Sequence, residues 1–232
     1  MDPQPNVLQR EYRLRFLKTE AYRNEMWRIL CRDYFGKLIS PDMTVLDLGC
    51  GWGEFINHIQ AAHKYAMDLN PDAARRLKPG IEFLRQDCSA PWQLPPESLD
   101  VVFTSNFLEH LRKKSLVEQT IEEAVRCLKP GGLMICMGPN VRYLPGAHWD
   151  FWDHFIPLTE RSLSELLELK GFEIRLQVPR FLPYSMSTGI TPPLFLVAWY
   201  LRLPFVWPWF GKQFVVAGKK RADEPMGRSV GE

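Results

Sequence analysis

Three glycines in this chain are spaced as a loop that could cradle a small ligand. Gly49, Gly51 and Gly53 come directly after the apolar run 44–48. Glycine lets the backbone turn sharply and lets a ligand approach without a Cβ in the way. A dinucleotide loop has the spacing G-x-G-x-x-G, whereas here Glu54 stands where the third glycine would be. An acidic residue at a helix N-terminus is a poor neighbour for a pyrophosphate, so the loop favours a cationic or zwitterionic ligand.

Acidic side chains also follow the ends of three apolar runs. Asp47 ends the first run, where it can attract an amino group or hold the glycine loop through backbone N–H groups. Asp68 ends the second run and can accept hydrogen bonds from both hydroxyls of a ribose. Asp87 follows the third run and can accept from the exocyclic amine of adenine, while Cys88 can offer its backbone N–H to the ring. Together with the glycine loop, these acids favour S-adenosylmethionine, which carries a sulfonium and an amino group.

The elements that must position these residues alternate between strands and helices. Strands are predicted at 44–48, 65–67, 81–84, 99–104, 133–137, 172–178 and 213–217. Helices are predicted within 7–37 and at 55–62, 115–127 and 160–170, and another after Asn70. Asn70 and Thr159 are the expected N-caps of two of these helices. Such alternation predicts a mostly parallel sheet covered on both faces, with ligands outside the carboxyl ends of its strands.

Six motifs, in this order, resemble those of the class I S-adenosylmethionine-dependent methyltransferases: 45–55, Asp68, 86–88, 99–102, 106–111 and 128–132. The resemblance implies a seven-stranded Rossmann-like α/β sheet with an antiparallel last strand, and S-adenosylmethionine as cofactor. It also implies that Asn106 and Phe107 line the methionine side. The absence of an Asn/Asp-Pro-Pro-Tyr motif at 105–108 argues against an amide or exocyclic nitrogen as acceptor. The cofactor-binding residues expected are Asp47, Gly49, Cys50, Gly51, Gly53, Asp68, Leu69, Asp87, Cys88, Asn106 and Phe107.

Histidines after two strand ends are candidate bases for a hydroxyl acceptor. Methyl transfer from a sulfonium is an in-line displacement that depends on alignment, and a hydroxyl also benefits from a base. His154 follows the fifth strand, where Asp150 or Asp153 could orient it. His110 follows the fourth strand and is expected rather to begin a helix and pack against the cofactor. The catalytic residues predicted are His154, Asp153 and His110. Asp150, Asp153 and His154 could also bind a divalent metal, but no further ligand is evident, so no metal site is predicted.

A second resemblance concerns the acceptor. The runs 138–143, 149–154 and 158–163 are similar to those of methyltransferases encoded with bacterial surface-polysaccharide and lipid biosynthesis enzymes. This resemblance implies a sugar or a lipid-linked glycan hydroxyl as acceptor. Tyr143, Trp149 and Trp152 suit sugar faces, although they could equally pack a long loop. Two alternatives stay open: a small aromatic, quinone-like or natural-product acceptor, and a protein that binds the cofactor without catalysis.

The segment 179–212, between the last two predicted strands, departs from the family pattern. It has no charged residue from 181 to 201, but polar residues and Pro192-Pro193 interrupt it, so a membrane span is rejected. One interpretation is a lid or a dimer contact. The other is a peripheral membrane element through 181–212, with its tryptophans at headgroup level and basic residues near anionic lipid. These residues are Trp199, Trp207, Trp209, Arg202, Lys212, Lys219 and Lys220.

Length and composition set the remaining expectations. The 232 residues suit one globular domain, and a net charge of +2 gives no footprint for a nucleic-acid partner. The five cysteines form no C-x-x-C pair, which suits reduced thiols in a cytoplasmic protein without a signal peptide. A single methyltransferase domain is expected over 1–218, with an N-terminal helical cap at 1–42 and an apolar insertion at 179–212. Residues 219–232 are expected to form a disordered tail, and homodimerisation is left open.

Overall fold

The fold is a seven-stranded sheet covered by helices on both faces. The computed structural model describes residues 5–184 and 191–222. The strands run in the order β3-β2-β1-β4-β5-β7-β6. Neighbours from β3 to β5 are parallel, and β7 is antiparallel to both β5 and β6. The strands are β1 (Thr44–Leu48), β2 (His63–Met67), β3 (Ile81–Leu84), β4 (Leu99–Ser105), β5 (Leu128–Pro139), β6 (Phe172–Val178) and β7 (Gln213–Lys220). This arrangement confirms the predicted fold class.

Helices from different parts of the chain cover the two faces. The α-helices are α1 (Pro5–Phe16), α2 (Glu20–Asp33), α3 (Glu54–His58), α4 (Lys114–Cys127), α5 (Glu160–Leu169), α6 (Leu194–Arg202) and α7 (Trp207–Phe210). One core joins α2, α3 and α6 to the sheet, and the other joins α4 and α5. Successive residues of a strand point to opposite faces, so Val45 enters the first core and Leu46 the second. β1 is thus buried on both sides, which is why Val45, Leu46 and Leu48 are apolar, and Asp47 is the polar exception among its buried residues.

Three predicted helices differ from the observed ones. The helix expected within 7–37 is two helices, joined by a 3-10 turn at Leu17–Thr19. The helix expected at 55–62 ends at His58, because Ile59 turns to an extended backbone and packs into the core. After Asn70 there is only the 3-10 turn Ala73–Arg75. Pro79 and Gly80 follow too soon for a longer helix to form there.

Other predicted boundaries hold or shift by a few residues. Thr159 caps α5 as predicted: its side chain accepts from the Ser162 backbone N–H, and the Ser162 hydroxyl accepts from the Thr159 N–H. β5 begins at Leu128 rather than at Leu133, with a register irregularity against β4 near Leu99. β7 continues to Lys220, so residues 219 and 220 belong to the sheet rather than to the predicted tail, and residues 223–232 lie outside the described part.

The insertion packs one of its faces against the N-terminal half of the molecule. Val197 and Leu201 of α6, and Trp207 of α7, belong to the core that contains α2. Tyr22 on α2 donates a hydrogen bond to the Pro192 carbonyl over 2.7 Å. Within residues 5–184 and 191–222, no helix is long and apolar enough to cross a membrane. Residues 185–190, in the middle of the predicted insertion, and residues 1–4 of the predicted cap lie outside the described part.

Candidate functional site

The glycine loop lies at the carboxyl end of β1 and begins α3. All three glycines have positive φ, at +70° for Gly49, +56° for Gly51 and +77° for Gly53. A Cβ at Gly49 would overlap the ring of Phe107, and a Cβ at Gly51 would overlap the hydroxyl end of Tyr12. The loop therefore requires glycine at Gly49 and Gly51 for two reasons: the backbone has a positive φ, and a side chain would overlap neighbouring residues.

Asp68, at the end of β2, holds this loop in place. Its Oδ2 accepts from the Gly51 N–H over 2.7 Å, and its Oδ1 accepts from the Asn70 N–H over 2.7 Å. Bracing of the glycine loop by backbone hydrogen bonds, one of the two roles expected for Asp47, is thus performed by Asp68. Burial raises the pKa of Asp68 to about 6, and these backbone hydrogen bonds offset the effect only in part.

Asp47 is buried at the end of β1 and its Oδ2 has no hydrogen-bond partner. Burial raises the pKa of Asp47, and the nearby charges of Glu54 and Asp68 raise it further. A buried carboxylate oxygen without a donor is costly. Asp47 lines the same cavity as the loop, so a cationic donor bound there would satisfy this oxygen.

The third predicted acid, Asp87, forms a tight turn after β3. Its Oδ1 accepts from both the backbone N–H and the hydroxyl of Ser89, each over 2.8 Å. Cys88 is buried, and its carbonyl accepts from the indole N–H of Trp92 over 2.8 Å. Both residues line the cavity, next to Gln86. The turn leaves Asp87 at the cavity wall, at the carboxyl end of β3.

Asn106 and Phe107 follow β4. Asn106 has a left-handed backbone with φ of +48°, and its buried Oδ1 has no partner. A positive φ outside glycine is uncommon and marks a constrained position. Of the eleven predicted cofactor-binding residues, nine line one cavity of about 610 Å³, Gly51 and Gly53 being the exceptions.

The N-terminal helices supply cavity residues that the sequence patterns did not indicate. The cavity is lined by Tyr12, Arg15 and Phe16 of α1 and by Arg23 of α2. The Tyr12 ring packs against Trp52 of the glycine loop with 5.6 Å between ring centroids. Their spacing along amphipathic helices gave no sign of chemistry, and only the folded chain brings them to the glycine loop.

Glu54, the acidic residue at the start of α3, forms an ion pair with Arg23. Its Oε1 accepts from Arg23 Nε over 2.9 Å, and both side chains are buried. The Arg23 guanidinium also lies over the Phe16 ring at 3.8 Å from its centroid. The expectation that an isolated Glu54 charge repels a pyrophosphate was therefore wrong in its premise, because Arg23 compensates that charge.

A cluster of histidines and acids forms the other end of the cavity. Glu109 and His110 lie in the 3-10 turn Leu108–His110 after β4, and His154 lies in the loop after β5. Backbone bonds join the two segments: the Phe155 and Ile156 N–H groups both donate to the Glu109 carbonyl, over 2.8 and 3.1 Å. The His110 and His154 rings are 4.8 Å apart.

The partner of Asp153 is His110, not His154 as predicted. His110 Nδ1 lies 3.0 Å from Asp153 Oδ2 and 3.0 Å from the Asp153 carbonyl oxygen. Asp153 also binds Arg15, whose Nη1 donates to Oδ2 over 2.9 Å. Asp150, the other carboxylate expected to orient His154, is exposed. Adjacency in sequence was therefore misleading, because Asp153 pairs with His110, in the turn after β4, while the His154 ring packs against the His110 ring.

The two histidines differ in basicity. Burial lowers the pKa of His110, but the hydrogen bond with Asp153 and the charges of Glu109 and Asp153 outweigh it, and the net pKa is raised. Burial lowers the pKa of His154 to about 3, and the charges of His110 and His148 act in the same direction. His154 is therefore a neutral imidazole at physiological pH, whereas His110 is the more basic of the two.

Comparisons with known proteins agree with this geometry. The family model described as "Methyltransferase domain" matches residues 19–177. Comparison of the sequence with functionally curated proteins found no significant match. Among solved structures, a SAM-dependent methyltransferase from Archaeoglobus fulgidus superposes with a TM-score of 0.65 at 20% identity, covering 88% of this chain and 99% of that chain. One from Thermotoga maritima has a TM-score of 0.62 at 17% identity, covering 91% and 99%.

The fold is also shared with an enzyme of another kind. The [4+2]-cyclase SpnF superposes with a TM-score of 0.56 at 20% identity, covering 82% of this chain and 81% of that chain. At such identities the structural likeness establishes the fold alone. The family match is independent of it and spans more than half of the chain.

Proposed function

This chain belongs to the methyltransferase domain family, and from that premise we propose that it methylates a hydroxyl of a sugar or a lipid-linked glycan. It is an S-adenosylmethionine-dependent methyltransferase, and the proposal concerns the acceptor and the residues that act on it. One observation carries the proposal: a cluster of proton-accepting side chains lines the same cavity as the glycine loop. The cluster comprises Glu109, His110, Asp153 and His154.

The residues at the glycine loop fit the cofactor. The unpartnered Oδ2 of Asp47 suits the ammonium of the methionine part, and the unpartnered Oδ1 of Asn106 offers a second acceptor near it. Asp68 has lone pairs left for ribose hydroxyls beside its two backbone bonds. We assign Asp87 to the adenine amine, with the backbone of Cys88 and the side chain of Leu69 along the ring. When bound, S-adenosylmethionine supplies an electrophilic methyl group.

The acceptor hydroxyl must lose its proton as its oxygen takes the methyl group. His110, fixed by Asp153, and the neighbouring Glu109 and His154 provide the groups that orient this hydroxyl and take up the proton. Positioning does most of the remaining work, because an in-line displacement depends on the alignment of donor and acceptor.

Aromatic rings at the mouth of the cavity support a sugar acceptor. Trp152 lines the cavity and is 91% exposed, so its ring is free to cover an apolar sugar face. Trp149 is also exposed nearby. Tyr143 is already occupied, since the Arg180 guanidinium lies 4.8 Å from its ring centroid. Of the three aromatics suggested by the sequence, only Trp152 lines the cavity, since Trp149 packs against the His148 ring outside it.

The outer face of the insertion supports an acceptor held at a membrane surface. Its large apolar side chains are exposed on α6, on α7 and between them: Phe195, Leu196, Trp199, Phe205, Trp209 and Phe210. Residues 179–212 contain three basic residues and no acidic one. An apolar face beside basic residues is typical of surfaces that lie on anionic lipid. We therefore place the protein at the cytoplasmic membrane face, with its acceptor in or on that membrane.

Three residues expected at this surface lie elsewhere. Trp207 is buried, and its indole N–H donates to the Tyr200 carbonyl over 2.8 Å. Lys219 and Lys220 end β7, seven residues from the insertion, which is about 23 Å along an extended strand. Lys220 is bound there to the Leu128 carbonyl. The basic residues next to the apolar face are Arg202 and Lys212.

A second acceptor class has one observation in its favour. Several phenylalanine rings line the cavity, among them Phe16, Phe107, Phe151 and Phe155. A small aromatic or quinone-like acceptor would pack against such rings and needs few polar contacts. Variants at the mouth separate the two classes. Trp152→Ala is expected to weaken a sugar acceptor through KM, and to leave an acceptor buried among the phenylalanines unaffected.

The first experiment is calorimetric titration with S-adenosylmethionine, followed by transfer of a labelled methyl group to cell-envelope extracts. We expect binding, and label in an alkali-stable ether of the glycan or glycolipid fraction. His154→Ala should lower the transfer rate, whereas His63→Ala, an exposed histidine at the start of β2, should not. Full activity of His154→Ala on the identified acceptor would exclude a role for this histidine. Label found only in small lipid-soluble aromatics would overturn the glycan proposal.

Membrane contact is tested separately by co-sedimentation with vesicles. We expect binding to phosphatidylglycerol vesicles and weak binding to phosphatidylcholine vesicles, because Arg202 and Lys212 favour anionic lipid. Trp199→Ser combined with Trp209→Ser should abolish it. Leu169→Ser, which removes an equally exposed apolar side chain at the end of α5, is the control. Failure of the native protein to bind either vesicle would refute the membrane placement.

A further inference from the structure

The groups that face the acceptor also have the composition of a metal site. One ligand atom each of Glu109, His110 and His154 lies within 4.8 Å of the other two. The structure assigns these three side chains, we propose, as ligands of a zinc-like divalent transition-metal ion. This ligand set differs from the combination of Asp150, Asp153 and His154 considered from the sequence. The inference rests on the proposed function for its chemistry, but not for the binding of the ion.

Two of the three side chains are buried with ligand atoms that nothing satisfies. Glu109 is 2% exposed and its Oε1 has no hydrogen-bond partner. His154 is 6% exposed and its Nδ1 likewise has none. Burying such atoms without partners costs free energy. Both atoms belong to residues that line the cavity, so an ion bound between them would satisfy them.

The third side chain is oriented by hydrogen bonds behind it. Both contacts of His110 Nδ1, to the carbonyl and the carboxylate of Asp153, are with oxygens that can only accept. Nδ1 therefore carries the proton, and the lone pair of the neutral ring is on Nε2. Histidines that bind metals commonly donate their other N–H to a carboxylate in this way. Arg15 donates to the same carboxylate and helps to hold it in place.

Two imidazoles and one carboxylate select the class of ion. This set suits zinc and its first-row neighbours, and it is unlike the all-oxygen sites of calcium or magnesium. Zinc–nitrogen bonds of about 2.1 Å put tetrahedral ligand atoms about 3.4 Å apart. The ligand atoms, up to 4.8 Å apart, must therefore draw together by as much as about 1.4 Å when the ion binds. Three protein ligands leave a position open toward the cavity, as in catalytic zinc sites.

That open position is where the acceptor hydroxyl would bind. A divalent ion lowers the pKa of an oxygen bound to it, so the hydroxyl releases its proton to water. The alkoxide oxygen then forms a bond to the methyl carbon as the bond from that carbon to sulfur breaks, and the sulfonium becomes a neutral thioether. No oxidation or reduction takes place.

The test measures metal binding without cofactor or acceptor. Apoprotein prepared with a chelator is titrated with Co2+, followed by its visible absorption, and with Zn2+, followed by equilibrium dialysis. We expect one ion per chain. Glu109→Gln and His154→Gln should lose the site, Asp153→Asn should weaken binding about 10- to 100-fold, and His63→Gln should bind as the native protein does. Titration with S-adenosylmethionine checks that each variant keeps a folded cofactor site.

Each outcome decides the inference. Native protein that binds neither ion, or Gln variants that bind like the native protein, would overturn it. If the ion binds but no hydroxyl acceptor is methylated, the proposed function fails and the metal site stands. If the chelated, metal-free protein methylates its acceptor at the full rate, the catalytic part of the inference fails and the proposed function stands.

Discussion

The buried ion pair between Arg23 and Glu54 allows a quantitative prediction, because the chain carries an exposed counterpart on the same helix. Arg23 Nε lies 2.9 Å from Glu54 Oε1, and the side chains are 10% and 9% exposed. Arg28 Nε lies 2.8 Å from Glu25 Oε2, but those side chains are 47% and 42% exposed. The two pairs match in chemistry and distance and differ in burial. The comparison therefore sets a buried contact between two helices against an exposed contact within one helix.

Arg23→Met removes the charge and keeps much of the apolar volume over the Phe16 ring. It leaves Glu54 buried and uncompensated near Asp47, at a cost of about 3–5 kcal/mol. Arg28→Met should cost no more than about 1 kcal/mol. Adding Glu54→Gln to Arg23→Met should recover most of the loss, because a neutral amide replaces the stranded charge. The free energy of unfolding, from urea denaturation at neutral pH, is the measurement for all four proteins.

The expected difference is easily resolved. In a protein of this size 1 kcal/mol shifts the melting temperature by about 2–4 °C, so Arg23→Met should melt at least about 6 °C lower than the native protein. The double variant should lie close to native. If Arg23→Met costs no more than Arg28→Met, or if the second substitution recovers nothing, then Glu54 is not the charge that Arg23 compensates.

Three further predictions address the cofactor loop, its pH dependence and the second core. Gly51→Ala should cost about 1–3 kcal/mol for its positive φ alone and should abolish cofactor binding, as measured by calorimetry, since the new Cβ overlaps Tyr12; native affinity would contradict it. Affinity for S-adenosylmethionine should be constant at pH 7–8 and fall as the pH is lowered through about 6. The reason is that Asp68 then gains a proton and loses capacity to accept hydrogen bonds. An affinity that stays constant down to about pH 5 would refute that role of Asp68. Thr159→Ala should destabilise the protein by about 0.5–2 kcal/mol in urea denaturation, and Ser115→Ala, in the first turn of α4, serves as a comparison without a cap.

Local patterns predicted the sheet because its central parallel strands, β1 and β4, are largely buried on both faces. Val45 and Leu46 of β1 enter different cores, so adjacent residues are both apolar and the strand stands out in the sequence. The role of Thr159 as an N-cap was also predictable from the sequence, because a cap depends only on local residues, here Ser162 three positions later. Asp47, Asp68 and Asp87 were found because parallel strands bring their carboxyl ends to one edge of the sheet.

Contacts between distant segments were not predictable in this way. Arg23 and Glu54 are 31 residues apart, and neither position has a spacing that indicates the other. The Asp153–His110 pair joins residues 43 apart, and the adjacent His154 was the more obvious partner from sequence. Glu109 was the one missed group with a visible sign, because it is an acid directly before a histidine at a strand end. Recognising its burial required the fold.

Helix α1 has a consequence for how fast the cofactor site exchanges its contents. Tyr12 covers Gly51, Arg13 Nη2 binds Asp72 Oδ2 over 2.8 Å, and Arg15 binds Asp153. The demethylated cofactor would therefore lie behind α1, which contacts both the glycine loop and the histidine-containing end of the cavity. The Arg13 guanidinium is 55% exposed, so its tie is worth at most about 1 kcal/mol, and opening on the microsecond-to-millisecond scale is to be expected. Because Tyr12 and Arg15 of this helix also line the cavity, we expect substitutions in the helix to change the rate at which the cofactor is released.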